Sequence, residues 1–408
     1  MKHQLVIARL IFGLTFIMSG FVKLIDPVGT GLVIQEYLNV INLHSLAFLA
    51  VPSGILLSLM EFIVGVAMFM RMRMKEMSGI ALVMTVFFTI VTLLLLIFNP
   101  IEDCGCFGEA ASMTHGESFF KNILLLLCII PIYLKRKTFR VDSSTFSEWM
   151  FLSIYGTIAL VFSIISYVRM PVIEFGDFRP GEDIAVHLME GEKGGEFETL
   201  FVYEKDGVQE EFFIEEIPDT TWTYVESIDL RGDVEVPFEF YITNSEGEHI
   251  TDSLIISPSP IFICSIYDLE KFYTPQRWEQ VELAKAQVEE RGAKFWLLVS
   301  ASEEQLREKV GENVLSSFRI GYADYKTVIA AQRSNGGYIY MSDAYVVKKW
   351  SRQGFSRRAD LDVISDDSDI TMIKDIIKQQ LIYEISIVVL FLSIALIRYF
   401  CRRVASKL

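Results

Sequence analysis

The chain has 408 residues, 51% of them apolar, and a mean hydropathy of +0.37, a balance that excludes an ordinary soluble protein and calls for membrane spans. Its formal net charge of −15 is unevenly placed: residues 170–378 hold 41 acidic and 21 basic side chains, while the apolar runs hold few charges. So acidic a region disfavours nucleic acid as a partner.

An α-helix crosses a bilayer core with about 20 mostly apolar residues. Six segments qualify: Leu5–Leu24, Leu46–Met70, Gly79–Phe98, Phe119–Leu134, Trp149–Val168 and Leu381–Phe400. The first starts like a signal peptide, yet no small-x-small cleavage site follows, and the run leads into "SGFVKLIDP", so it reads as retained. Basic residues set orientation. "RMRMK" (Arg71–Lys75), "KRKTFR" (Lys135–Arg140), "CRR" (Cys401–Arg403) and Lys2 all fall on one side if every span crosses. That side is then the cytoplasm of a bacterial inner membrane, and residues 170–378 face the periplasm.

Residues 170–257 read as a β-rich module. "ETLFVYEKDG", "QEEFFIEEIP", "TWTYVESIDL" and "PFEFYITNSEGEHI" are short strand-like runs ending in turn signals. From Ser257 the rhythm changes. "PIFICSIYDL" is a buried strand, "TPQRWEQVELAKAQVEERG" an amphipathic helix opened by Thr-Pro and closed by glycine, and "AKFWLLVSA" a second strand. "SEEQLREKVG" is a short helix and "GGYIYMSDAYVVKKW" a hairpin. The expected layout is a membrane unit over 1–140, a fifth span within 141–169, the β-rich module, an α/β domain over 258–378 linked through "DDSDI", and a sixth span with a tail over 379–408. In fold class this is a polytopic α-helical membrane protein with an added α+β region.

Five cysteines are spread along the chain, and two of them, Cys104 and Cys106, flank Gly105 in the loop "DCGCFG" between the third and fourth spans. Residues i and i+2 of extended chain stand about 6–7 Å apart at Cα, at the edge of disulfide reach. A bridge across one glycine closes a small, strained ring, and strain makes a disulfide a better oxidant. Outside the cytoplasm such a pair stays bridged or cycles. Redox activity, a local staple and metal binding are the three readings of the pair. Two thiolates are too few for a closed zinc site, but copper(I) accepts two, with His115 as a third ligand.

Glu61 lies inside the second span, where a carboxylate is costly unless paired or protonated. It reads either as a proton relay or quinone contact, or as a structural partner of Arg9. Depth reckoned along the span places it away from the cysteine loop. Cys264, within "IFICSI", reads as a buried packing thiol, with exchange against the loop pair as the alternative. Cys128 and Cys401 read as membrane-facing or packing residues.

Three pieces together, "ARLIFGLTFIMSGFVKLIDP", "LMEFIVGVAMF" and "DCGCFG", resemble the DoxX-like superfamily and, within it, the MauE-type redox-associated membrane proteins, over about the first 140 residues. That resemblance implies a four-helix bundle and membrane-linked thiol redox chemistry. MauE itself is linked to maturation of methylamine dehydrogenase, whose small subunit is rich in disulfides. By order of elements, Ser257–Trp350 resembles a thioredoxin-like fold. It departs at "YDLE" (Tyr267–Glu270), where a Cys-x-x-Cys is expected, and at Gly336 or Gly337, where a cis-proline is expected. The resemblance then implies a degenerate domain suited to binding.

Three functions follow as expectations. The first is a thiol–disulfide oxidoreductase component passing electrons from periplasmic protein thiols to the membrane, through a quinone. The second is a non-catalytic scaffold holding a periplasmic partner, and the third a copper-handling membrane protein.

Overall fold

The structure, a computed structural model, describes residues 2–101, 104–111, 113–139, 144–188, 199–205, 208–212, 222–229, 240–355 and 369–405. The "DDSDI" linker falls largely outside them. Among the described residues six helices are long and apolar enough to cross a membrane, in the places expected. They are α1 (Lys2–Ile25), α3 (Ala50–Phe69), α4 (Met74–Phe98), α5 (His115–Leu134), α6 (Thr145–Val168) and α10 (Asp369–Ala405). Their shared core includes Phe12, Phe16, Phe62, Met68, Ile129, Tyr155 and Ile394. Close approach of α1 to α3 depends on Gly65, where a Cβ would stand 2.5 Å from the Ile17 backbone nitrogen. α10 docks on α6, and its Phe391 also touches Phe21 of α1 and Phe62 of α3: the rings of Tyr155 and Phe391 stack 5.7 Å apart, and Tyr155 Oη donates to the Phe391 carbonyl at 3.1 Å.

The first connection holds a further helix, α2 (Pro27–Val40). It starts where the chain tells it to. Asp26 caps it by accepting from the Gly29 N–H at 3.0 Å, and Pro27 fills the first turn, where no N–H is needed.

The extramembrane part contains two sheets. The smaller is an antiparallel ribbon in the order β2 (Val208–Phe212), β1 (Thr199–Lys205), β3 (Thr223–Asp229). Of the run expected as a fourth strand, residues 237–239 lie outside the described residues, and within 240–250 only single bridges form, Thr243 to His249 and Thr243 to Tyr322. Phe240 and Ile242 instead bury themselves in the core of the larger sheet.

That larger sheet has the order β6 (Arg319–Tyr322), β5 (Lys294–Val299), β4 (Ile261–Ile266), β7 (Gly337–Ser342), β8 (Tyr345–Trp350). β4, β5 and β6 run parallel, while β7 and β8 form the antiparallel hairpin. β4 is buried along its whole length, which matches its continuous apolar run. One face packs helix α7 (Pro275–Glu290) through Trp278, Val281, Ala284 and Val288. The other face takes α9 (Tyr325–Ala331) through Val328 and Ala331, together with Phe178, Ile184, Leu254 and Ile255. Residues from before Ser257 thus belong to this core too. Between β5 and β6 lies α8 (Glu303–Val310), opened by the Ser302–Gln305 capping box.

Candidate functional site

Three spans carry polar residues at helical spacing on one face: Ser19 and Lys23 on α1, Ser58 and Glu61 on α3, Ser118, Lys121 and Asn122 on α5. The fold turns these faces toward each other beneath the Cys104–Cys106 loop. Lys23 Nζ lies 2.7 Å from Glu61 Oε2, with both side chains buried. Pairing resolves the cost of the intramembrane carboxylate. The pairing of Glu61 with Arg9 is therefore corrected: Arg9 donates to the carbonyls of Met68 (2.5 Å) and Phe69 at the end of α3, where helix carbonyls lack intrahelical partners. The separation in depth is corrected as well. Ser19 Oγ lies 3.3 Å from Glu61 Oε2 and 2.8 Å from the Cys106 carbonyl oxygen, so one hydroxyl spans the distance, its proton serving one acceptor at a time.

The loop itself is tightly fixed. Gly105 has φ +63°, and a Cβ there would meet Val33 Cγ1 of α2 at 2.6 Å. Tyr37 Oη donates to the Cys104 carbonyl at 3.3 Å. Cys104 Sγ sits 2.9 Å from Ser118 Oγ and accepts from the Cys106 N–H at 3.4 Å. Both thiols are free and partly buried.

The two cysteines differ in acidity. The Cys104 S–H hydrogen bond, helped by the Lys121 and Lys23 ammonium groups, lowers the Cys106 thiol to about 5 against the opposing effect of burial. Donating that bond, together with burial, pushes the Cys104 thiol up. Of the two, Cys106 is the one whose thiolate these contacts favour. The thiolate is the nucleophile and the better leaving group in disulfide exchange.

Two cavities meet at the loop, and Cys104, Gly105 and Cys106 line both. One, of about 570 Å³, is a cleft between the membrane unit and the α/β domain. Ion pairs tie its walls together: Asp26 with Arg333 (3.1 Å), Glu174 with Lys349 (2.9 Å), and Glu36 with Lys326. The other, of about 470 Å³, lies among the spans, with Lys23, Ser58 and Glu61 set among Phe16, Leu57 and Phe88.

The remaining expected site residues lie elsewhere. His115 Nε2 stands 2.9 Å from both Asn99 Oδ1 and the Ile101 carbonyl oxygen, where α4 ends. Among the described residues no group of three or more His, Cys, Asp or Glu could hold a metal. Cys264 is fully buried in β4, its thiol pushed up by burial. Cys128 is half-buried and Cys401 exposed. After β4, Asn335 Oδ1 accepts from the N–H groups of Tyr267 (3.1 Å) and Asp268 (3.2 Å), and Asn335 Nδ2 returns a bond to the Asp268 carbonyl at 2.8 Å.

Sequence reasoning missed Ser19, Lys23, Val33, Tyr37, Ser58, Ser118 and Lys121. The signal was there for most of them. Polar residues spaced three or four apart in otherwise apolar spans mark one shared inward face.

In comparisons with known proteins, residues 1–134 match the family model for methylamine utilisation protein MauE. Residues 197–230, which include the small antiparallel sheet, match a domain of unknown function, DUF8463. No curated protein and no solved structure matches the chain.

Proposed function

We propose that this chain, a multi-pass membrane protein whose first 134 residues are of the MauE type, is the membrane component of a thiol–disulfide exchange system, with Cys104 and Cys106 as its working pair. The observation that carries the reading is the placement of two adjacent free thiols at the junction of a cleft and a membrane cavity. In the oxidised state a partner thiolate enters the cleft and attacks Cys104 Sγ. Cys106 leaves as the better-stabilised thiolate, and the partner's second thiol then resolves the mixed disulfide. The net step forms one partner disulfide and returns both loop cysteines to the reduced state.

The basic clusters support an orientation with the α/β domain in the periplasm of a bacterial inner membrane. In this reading the domain holds partners and closes the cleft, because the place of a Cys-x-x-Cys is filled by Tyr267–Glu270 and held by Asn335. Thiol trapping in intact cells tests it. Wild-type protein is expected to be bridged between Cys104 and Cys106, and Cys106→Ser to accumulate mixed disulfides through Cys104. Unchanged function after replacing both loop cysteines refutes the assignment.

A further inference from the structure

The cavity among the spans has the chemistry of a ligand site. Its volume of about 470 Å³ falls within the range of about 300–1,000 Å³ typical of cofactor and small-molecule sites. Most of its wall is apolar, formed by Phe16, Leu57, Phe87, Phe88, Val91 and Leu125. Phe87 is also half-exposed on the outer surface of α4, so the cavity reaches the surface that lipid chains would cover. A ligand arriving there is lipid-soluble.

The polar end of the cavity is specific. Ser58 Oγ is buried and lines the cavity, yet has no hydrogen-bond partner among the described residues. An unpaired buried hydroxyl costs free energy unless something occupies the cavity and accepts its proton. Lys23 Nζ and Glu61 share the same end, and the cysteine loop forms its roof. The site therefore offers a hydroxyl donor, an ammonium group and a dithiol to the head of an apolar molecule. A molecule that suits all three carries carbonyl oxygens on a two-electron redox head.

We infer that this cavity binds a quinone, which reoxidises the Cys104–Cys106 pair from the side opposite the cleft. This deepens the thiol-exchange reading and rests on it. The step balances as follows. The Cys106 thiolate and Cys104 thiol lose two electrons as one S–S bond forms, and the Cys104 S–H bond breaks. The quinone takes both electrons, the proton from Cys104 and a second proton from solvent, and leaves as quinol. Ser58 and Lys23 donate to its carbonyl oxygens, and Lys23 opposes the negative charge that builds up on them as electrons arrive.

The test uses the full chain in nanodiscs, reduced, desalted and kept anaerobic, with decylubiquinone as the probe. Quinone absorbance is expected to fall by one equivalent per chain while two alkylatable thiols disappear, and Cys104→Ser is expected to reduce none. Leu57→Trp and Val91→Trp, which fill the cavity from different helices, should each raise the half-saturating quinone concentration by on the order of tenfold. Because a variant can fail to fold, an azido-quinone is also photolysed with the Cys104→Ser/Cys106→Ser protein. Label is expected on peptides from α3 and α4, competed by decylubiquinone. If the wild-type loop exchanges with a protein dithiol but quinone is neither reduced nor captured, the cavity assignment is overturned and the thiol-exchange reading stands. Label without reduction by a wild-type loop that does exchange overturns it too, as does a co-purified phospholipid that excess quinone fails to displace. If the loop exchanges with no dithiol at all, the thiol-exchange reading has failed, and the inference falls with it.

Discussion

Gly105→Ala is the sharpest single probe of how the loop is held. The residue has φ +63°, and left-handed backbone costs an L-residue about 1–2 kcal/mol. The new Cβ would also stand 2.6, 3.1 and 3.2 Å from three side-chain carbons of Val33. Forcing such contacts costs about 1–3 kcal/mol. Restricting the unfolded chain returns about 0.4–1 kcal/mol, which leaves a net loss of about 1–4 kcal/mol. The two causes separate in a double-mutant cycle. Val33→Ala removes the two closest of these carbons, Cγ1 and Cγ2, but leaves the backbone angle unchanged, so combining it with Gly105→Ala recovers most of the collision and not the strain. Thermal unfolding in detergent measures stability, and the alkylation rates of Cys104 and Cys106 report the position of the loop. A Gly105→Ala protein as stable and as reactive as wild type refutes the reasoning. Strictly additive losses in the double variant refute the contact with Val33.

Three further outcomes are expected. Glu61→Leu leaves the Lys23 ammonium buried and unpaired and costs about 3–5 kcal/mol; adding Lys23→Met should restore most of that in the same unfolding assay, and a double variant as unstable as the single one would break the argument. Iodoacetamide alkylation of Cys106 in the reduced protein should rise with pH through a midpoint of about 5, because protonation below that value removes the thiolate. Lys121→Met should move the midpoint upward, and a wild-type midpoint near the ordinary thiol value of about 8.5 would contradict the pairing described. Asp26→Asn keeps the cap on α2 but removes its charge toward Arg333, so crosslinking between α2 and α9 should fall while α2 stays folded. Asp26→Ala should cost about 1 kcal/mol more through loss of the cap, and equal stability of the two variants would show that the cap is idle.

Much of the architecture was legible in the sequence because its signals are local. A run of apolar residues long enough to cross a bilayer is a property of one segment, and all six spans lie where composition places them. β4, β5 and the β7–β8 hairpin were equally plain from apolar runs and turn residues. What was missed is instructive. β6 has four residues of mixed polarity and gains its identity only by pairing with β5. α2 announces itself through Asp26 and Pro27, but Gly29, Thr30 and Gly31 weaken its helical propensity, and its place against Gly105 depends on tertiary packing. The cysteine pair was visible as a motif, whereas the acidity of Cys106 depends first on its contact with Cys104 and then on Lys121 and Lys23, contributed by two different spans. The Lys23–Glu61 contact joins residues whose relative depth is set by how two helices tilt and slide, which no count along either helix supplies.

The α/β domain is inserted between two spans, so the chain enters it from α6 and leaves it into α10, and those two helices pack on each other at Tyr155 and Phe391. Its meeting with α2 is therefore an intramolecular event, governed by a local concentration in the millimolar range for short tethers. Contacts such as Glu36 with Lys326, which would be too weak to hold two free proteins together, count for more in this tethered arrangement. In the thiol-exchange reading proposed above, a visiting protein has to compete with that concentration to enter the cleft. When it departs, the domain and α2 meet again without a search through solution.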